Sequence, residues 1–567
     1  MKTRLNPRRA PFRGRCFPAA AGVLLVLLAS SPGQARPVAV TRTEAGIVAG
    51  KHLPSGVTAY LGLPYAAPPV RALRWRPPAP VRPWDGVFNA DRFAPECIQN
   101  LRAKEINHYF GEEATSEDCL YLNVWTPPGA KADQARPVIV WIYGGAFSVG
   151  SSAMANYGGE ALAGKGAIYV SFNYRLGALG FMAHPDLAAE DAHHASGAYG
   201  YLDQIAALAW VQRNIARFGG DPKRVTIMGQ SAGSISVFDL QASPLAKGLF
   251  HRVVGMSGGP GLAAPGAGGA DLLSRAQAEA VGLRLQAALK APTLAEMRRL
   301  PADRILAAQN DCQAGRCEGG GPALPWPSID GHVLPDAPLR LFAEGRQSDV
   351  PTLVGFTHDE SWTPLRATTD LAGYRETARK LYGDRAEAFL ALYPATTDAQ
   401  AAVMARTAAR DGGMASVMRR WARAQAATGK ASVYVYGFAR PHPYTPGITF
   451  ADLDPATAGA YHTSEVPYFL QTLDSLNLFR RTRDWKAEDR RLSDTLADSL
   501  IAFAATGDPS TAAAPWPAYD LADERLVTIG AVLTPDRFDP VRMDFMDRVR
   551  TPFSIGAPPR AAQGSRD

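Results

Sequence analysis

Gly229-Gln230-Ser231-Ala232-Gly233 places one serine between two glycines, each a residue removed. Where such a pentapeptide joins a strand to a helix, the chain turns tightly enough to leave the serine Oγ standing clear of the sheet. The helix N-terminus beneath it offers backbone N–H groups and a positive field to developing negative charge. That combination suits nucleophilic attack on a carbonyl. The pentapeptide alone also fits an ordinary glycine-bounded turn, so its neighbours must decide. Val225-Thr226-Ile227-Met228 before it reads as a strand, and Ala232 to Leu240 after it can be a helix. A second glycine loop, Tyr143-Gly144-Gly145-Ala146-Phe147, directly follows an apolar run. Without bulky side chains it can aim N–H groups inward, and with the N–H of Ala232 it would make an oxyanion hole. By itself it is only a turn.

The elements that must position these groups are legible in outline. Val138 to Tyr143 and Ile168 to Tyr174 are continuous apolar runs, as strands buried on both faces should be. Tyr201 to Phe218 carries apolar residues at three- and four-residue spacings and stops at Gly219-Gly220, which predicts a helix. Arg252 to Met256, Leu353 to Phe356 and Val433 to Phe438 continue the strands. Gly46 to Gly50, Val57 to Leu63 and Leu120 to Trp125 precede them as a small N-terminal β-sheet. Strands alternating with helices predict an α/β fold, a mainly parallel central sheet with helices on both faces. Residues 258–270 read as a Gly/Pro/Ala-rich loop, and no internal repeat is evident.

Longer stretches carry a resemblance. They are Glu117 to Val124, WIYGGAF at 141–147, FNYRLGALGF at 172–181, and YGYLDQIAALAWVQRNIARFGGDPKRVTIMGQSAG at 199–233. THDES at 357–361, GAYHTSEVPYF at 459–469 and FAATGDP at 503–509 continue the series. In this order, from about residue 44 to about 530, the chain resembles the type-B carboxylesterases, the α/β-hydrolase family that includes the cholinesterases.

The resemblance implies a triad. Ser231 would be the nucleophile. Glu360, in Asp359-Glu360-Ser361, would be the acid, with Ser361 where the family usually has glycine. His462 would be the general base, a choice among 10 histidines that residue types alone do not make. The N–H groups of Gly145, Ala146 and Ala232 would bind the oxyanion, Ala146 standing where glycine is frequent. Ion pairs Arg74–Glu117 and Arg175–Asp203, and a Cys97–Cys119 bridge near the gorge mouth, are implied too. Two departures bear on substrate. Gln230 replaces the common glutamate, and the Cys97–Cys119 loop contains no tryptophan to seat a cation. Weak choline-ester activity is therefore expected. Phe147, Gln230, Trp326 and Trp362 are candidates to line the substrate pocket, simple core packing being the alternative for the aromatics.

The formal charge of +7 does not indicate a polyanion partner. Lys2, Arg4, Arg8, Arg9, Arg13 and Arg15 all lie in residues 1–35, which hold no acid, so the remainder is close to neutral and nucleic-acid binding is not expected. A basic start, the apolar run Ala19 to Ala29 and Gly33-Gln34-Ala35 describe a signal peptide over 1–35. That run is too short for a stable membrane anchor. A single domain over 36–555 and a disordered tail over 556–567 are expected, in a secreted or periplasmic protein. Cys97, Cys119, Cys312 and Cys317 suit disulfides in an exported chain, paired by proximity as 97–119 and 312–317. No metal or cofactor is called for, and the oligomeric state is left open. The expected function is hydrolysis of uncharged carboxylic esters through an acyl-enzyme. The alternatives are a lipase, a hydrolase specialised for one xenobiotic or mycotoxin ester, and a non-catalytic binding protein of the same fold.

Overall fold

In a computed structural model, the described residues are 39–100, 105–107, 114–263, 272–318, 324–361, 363–549 and 553–554. Residues 1–35 and 556–567, expected above to be a signal peptide and a tail, and Trp362 lie outside them.

A 13-stranded sheet organises the chain. Its strands are β1 (Ala39–Arg42), β2 (Ile47–His52), β3 (Thr58–Pro64), β4 (Tyr121–Thr126), β5 (Arg136–Ile142) and β6 (Ile168–Phe172). They continue with β7 (Gly220–Gln230), β8 (Arg252–Met256), β9 (Thr352–Thr357), β10 (Val433–Phe438), β11 (Arg525–Ile529) and β12 (Leu533–Arg537). The spatial order is β1-β2-β3-β4-β6-β5-β7-β8-β9-β10-β11-β12, with the short strand Val87–Ala90 beside β2. From β6 to β11 every pairing is parallel. The strands β1 to β4 and the β11–β12 edge pair antiparallel. The small N-terminal sheet expected from sequence is thus continuous with the main one through β4 and β6.

Parallel strands need covering on both faces, and the burial shows it. Val138 to Ile142 are fully buried, as are Ile168, Val170 and Phe172. The predicted helix forms as α1 (Tyr199–Asn214), tightened into a 3₁₀ turn over Ile215–Phe218 and stopped by Gly219 at φ 90°. Helix α2 (Ala232–Ala242) follows β7 without a break and is buried at every residue, so it runs through the core rather than over it. Within the expected 258–270 loop, Leu262–Ala263 instead pairs with Phe553–Ser554. Strand–strand pairing there satisfies backbone groups that a free loop would leave to water.

Helices α3 (Ser416–Thr428), α4 (Ala487–Thr506) and α5 (Pro540–Arg548) come later in the chain. A second apolar cluster forms around Leu365, Tyr374, Phe389, Tyr393, Ala405, Phe545 and Met546. No helix among the described residues is long and apolar enough to cross a membrane.

Candidate active site

Strand β7 lies at the middle of the sheet, and Ser231 is the next residue beyond its C-terminal end. Ligand sites of parallel sheets gather at that end. Ser231 has φ 56° and ψ −124°, a conformation costing a side-chain-bearing residue about 1–3 kcal/mol. The surroundings hold it there: Ser231 N–H donates to Met256 O at 2.8 Å, and Ile235 N–H to Ser231 O at 2.9 Å. The flanking glycines are required by close backbone approach. A Cβ on Gly229 would stand 2.3 Å from Gly233 O, and one on Gly233 would stand 2.0 Å from Ile142 O.

The loop after β5 lies against this turn, since a Cβ on Gly144 would be 2.9 Å from the Ser231 Cβ. Gly145, Ala146 and Phe147 all have positive φ, at 118°, 52° and 54°. Ala146 thus occupies a conformation that glycine adopts more cheaply. The N–H of Ala232 lies in the first turn of α2, where helix geometry leaves donors without an intrahelical acceptor.

Glu360 follows β9 and His462 lies in the Gly459 to Phe469 stretch, 102 residues later. Two reciprocal bonds lock those segments: Asp359 N–H donates to Ala460 O at 3.0 Å, and Ala460 N–H to an Asp359 carboxylate oxygen at 2.9 Å. His462 Nδ1 lies 2.5 Å from Glu360 Oε2. The other oxygen of Glu360 accepts the Thr357 N–H at 2.6 Å and the Ser257 hydroxyl at 2.8 Å. His462 Nε2 lies 3.1 Å from the amide nitrogen of Gln230, the residue before Ser231. The structure therefore brings Glu360, His462 and the Ser231 turn into one line.

Two residues the sequence reading did not single out support that line. Ser257, just beyond β8, sits between Glu360 and Glu465, its hydroxyl 3.2 Å from Glu465 Oε1. Glu465 is wholly buried, and its carboxyl is pushed well up, first by burial and then by the negative charge of Glu360. Its position within GAYHTSEVPYF was a signal for it, whereas Ser257 had only its place at the end of a parallel strand.

Raising a carboxyl's folded-state pKa makes the folded state hold the proton more tightly. Stability is then fullest below the ordinary carboxylate range and declines as pH rises toward the folded value. Glutamine at this position removes that linkage. Glu465→Gln is expected to melt above the wild type at about pH 8, with the gap closing toward about pH 4. A thermal melt series across pH checks this, and a gap that opens toward acid contradicts it.

The pocket candidates separate. Phe147 is fully buried and meets Phe181, Tyr201 and Trp326 edge-on, with ring centroids 5.1, 6.0 and 5.1 Å apart. Trp326 also borders a cavity of about 300 Å³ with Ile235, Phe238, Asp239, Leu262 and Pro260. Ile235 is one helical turn beyond Ser231, so this mostly apolar space adjoins the helix that follows Ser231. Gln230 is nearly inaccessible and faces His462.

Both ion pairs form. Arg74 meets Glu117 through two bonds of 2.6 and 2.5 Å, and Arg175 meets Asp203 through two of 2.7 Å. Cys97–Cys119 and Cys312–Cys317 are disulfides. Among the described residues no group of three or more His, Cys, Asp or Glu is arranged to hold a metal ion.

The mainly parallel sheet and a serine at the strand-to-helix turn define an α/β-hydrolase. The Carboxylesterase family matches residues 37–545. Fumonisin B1 esterase of Sphingopyxis macrogoltabida is 36% identical over 504 residues, covering 87% of each chain. Para-nitrobenzyl esterase of Bacillus subtilis (strain 168) is 32% identical over 492 residues, 85% of this chain and 92% of that one. A solved PNB esterase structure superposes with a TM-score of 0.72 at 31% identity, covering 90% of this chain and 99% of its own. The chain belongs to the carboxylesterase family and is a carboxylic ester hydrolase.

Proposed function

We propose that Ser231 is the nucleophile, His462 the general base and Glu360 the acid of a secreted or periplasmic serine esterase acting on uncharged esters. One observation carries this reading: Glu360 engages Nδ1 of His462 while Nε2 points to the Ser231 turn. A carboxylate on Nδ1 fixes the N–H there and leaves the Nε2 lone pair to accept a proton. The Ser231 proton passes to Nε2 as Oγ bonds to the ester carbonyl carbon. The oxyanion is met by the N–H groups of Gly145, Ala146 and Ala232, each donor worth about 3–4 kcal/mol. The C–O bond then breaks, and the imidazolium gives its proton to the leaving alcohol. Water, deprotonated by His462, cleaves the acyl-enzyme and restores Ser231.

Residues 1–35 serve as signal peptide, 36–555 as one catalytic domain and 556–567 as a tail. The two disulfides support an oxidising compartment. The acyl side of a substrate has the apolar cavity beside Trp326 to enter. Release of p-nitrophenol from acetate, butyrate, octanoate and palmitate esters tests this. Turnover highest on the shorter chains is expected, whereas a palmitate optimum would favour a lipase. Labelling of Ser231 by a fluorophosphonate identifies the nucleophile directly.

With a neutral Gln230 beside the base and no tryptophan between Cys97 and Cys119, a cationic alcohol group gains little attraction. A choline ester is expected to show kcat/KM about tenfold below an uncharged ester of the same acyl length. Parallel initial rates on the two esters check this, and equal values contradict it. The similarity to a fumonisin B1 esterase favours a second reading, a hydrolase specialised for one mycotoxin ester. Hydrolysis of fumonisin B1 with a kcat/KM far above that of the p-nitrophenyl esters would establish it.

A further inference from the structure

We propose that Gln99 is a positioning residue for the oxyanion hole, its carboxamide clamping the far end of the loop that aims the N–H groups of Gly145 and Ala146. This rests on the assignment of those donors and of Ser231 above. The loop needs a clamp. Ala146 and Phe147 carry side chains at φ 52° and 54°, a conformation that persists only where the surroundings over-determine it.

At the near end the holding bonds are local, the N–H groups of Ser148 and Val149 each reaching Gly145 O at 3.0 Å. Gln99 ties the far end. Gly150 N–H donates to Gln99 Oε1 at 2.7 Å, and Gln99 Nε2 donates back to Gly150 O at 2.8 Å. Nε2 donates to Cys97 O as well, at 3.1 Å, which gives each of its two hydrogens an acceptor.

The clamp acts on the donors through a single peptide plane. The N–H that Gln99 holds belongs to the Val149–Gly150 peptide, and the carbonyl of that same rigid unit stands against Gly145. A Cβ on Gly145 would be 2.1 Å from Val149 O, and one on Gly150 would be 2.5 Å from Gly144 O. Moving Gly150 therefore moves Gly145. Gln99 is 5% exposed and Gly150 is buried. A side chain unable to hydrogen-bond would leave the Gly150 N–H and carbonyl without partners, and the loop would shift to recover them.

Gln99 is itself anchored. It lies two residues beyond Cys97, which is bridged to Cys119 just before β4. On the other side of Cys97, Pro95 O accepts from Asn173 Nδ2 at 3.1 Å, and Asn173 Oδ1 accepts the Ser152 N–H at 2.9 Å. The disulfide-bonded segment thus grips the chain at Gly150 and, through Asn173, at Ser152.

The test compares the wild type with Gln99→Met, which matches glutamine in length but offers no N–H, and with the milder Gln99→Asn, which keeps a carboxamide on a shorter stem. Beside kcat and KM on p-nitrophenyl butyrate, two inhibition constants are read. A trifluoromethyl ketone forms a hemiketal with Ser231 and places an oxyanion in the hole, whereas the matching methyl ketone occupies the pocket without one. In Gln99→Met, kcat is expected to fall about 30-fold, less than the loss on the order of 10²–10³ for removing a donor outright. The trifluoromethyl ketone should weaken by a similar factor, while KM and the methyl ketone constant stay within about twofold of wild type. Gln99→Asn is expected to fall between, and it carries the test alone if Gln99→Met does not fold. Partial unfolding lowers kcat but leaves both inhibition constants where they were. That pattern, or an equal weakening of both ketones, overturns the proposal. If the trifluoromethyl ketone bound the wild type no tighter than the methyl ketone, the assignment of Ser231 and its oxyanion donors would itself fail, an outcome distinct from an unchanged preference in the variants.

Discussion

Ser231→Ala is expected to lower kcat on p-nitrophenyl butyrate by on the order of 10⁶-fold, and adding His462→Ala to lower it little further. In the proposed mechanism the two residues perform one step. Without Oγ there is nothing for His462 to deprotonate, and without the base Oγ remains a neutral, weakly nucleophilic hydroxyl. The residual rate, on the order of 10³–10⁴ over water, is that expected of the proposed oxyanion donors at Gly145, Ala146 and Ala232, which neither substitution touches. Glu360→Gln should cost less, about 10⁴-fold. Its amide would donate to Nδ1, place the imidazole N–H on Nε2 and so occupy the lone pair the serine proton needs. Thr357 and Ser257 already donate to Oε1 of Glu360, so the variant amide has one orientation that keeps its oxygen toward them. That orientation is the one that disables the base. Active-site-titrated kcat values for the single and double variants check the pattern, and additive losses would break the triad assignment.

The serine turn was legible because two local signals coincide there. A strand of Val225 to Met228 precedes it, and both glycines answer to backbone contacts that no side chain could share. His462 and Glu360 were not legible in that way, since 102 residues separate them and neither sits in a pattern that residue chemistry dictates. Only the resemblance named them. Other features stayed hidden for physical reasons. Helix Asp398–Arg410 buries Ala401, Ala405, Ala408 and Ala409, residues too small to register as an apolar stripe. It packs into the second cluster, which the sequence did not suggest. Strand β12 is polar and contains Pro535, as suits an edge that must not recruit another strand, and for that reason it does not read as a strand. The first half of β7, with Asp221, Pro222 and Lys223, was missed because it is polar and irregular, its register shifting between Gly220 and Val225.

Breaking the Arg175–Asp203 pair is expected to destabilise the protein by about 3–5 kcal/mol, although replacing both partners by apolar residues costs much less. The Arg175 and Asp203 side chains are only 4% and 0% exposed, so either charge left alone would be a buried, uncompensated ion. Burial pushes the Asp203 carboxyl up and Arg175 opposes it, so Arg175→Met hands the site to the desolvation cost. Asp203→Leu strands the guanidinium, whose other bonds go to the neutral carbonyls of Arg76 at 2.9 Å and Tyr199 at 3.5 Å. The Asp203 carboxylate also accepts the Arg175 backbone N–H at 3.0 Å, which ties helix α1 to the chain after β6. Two residues farther on, Gly177 N–H donates to Phe147 O at 2.6 Å, within the loop that carries Gly145 and Ala146. Loss of the pair should therefore loosen the proposed oxyanion loop as well as the fold, lowering kcat more than it raises KM. Urea midpoints of Arg175→Met, Asp203→Leu and the double variant give the coupling. A double variant more stable than either single one is the expected sign of a pair whose partners each need the other. Independent, additive losses would mean that packing of the two side chains, and not their charges, holds α1 against the loop.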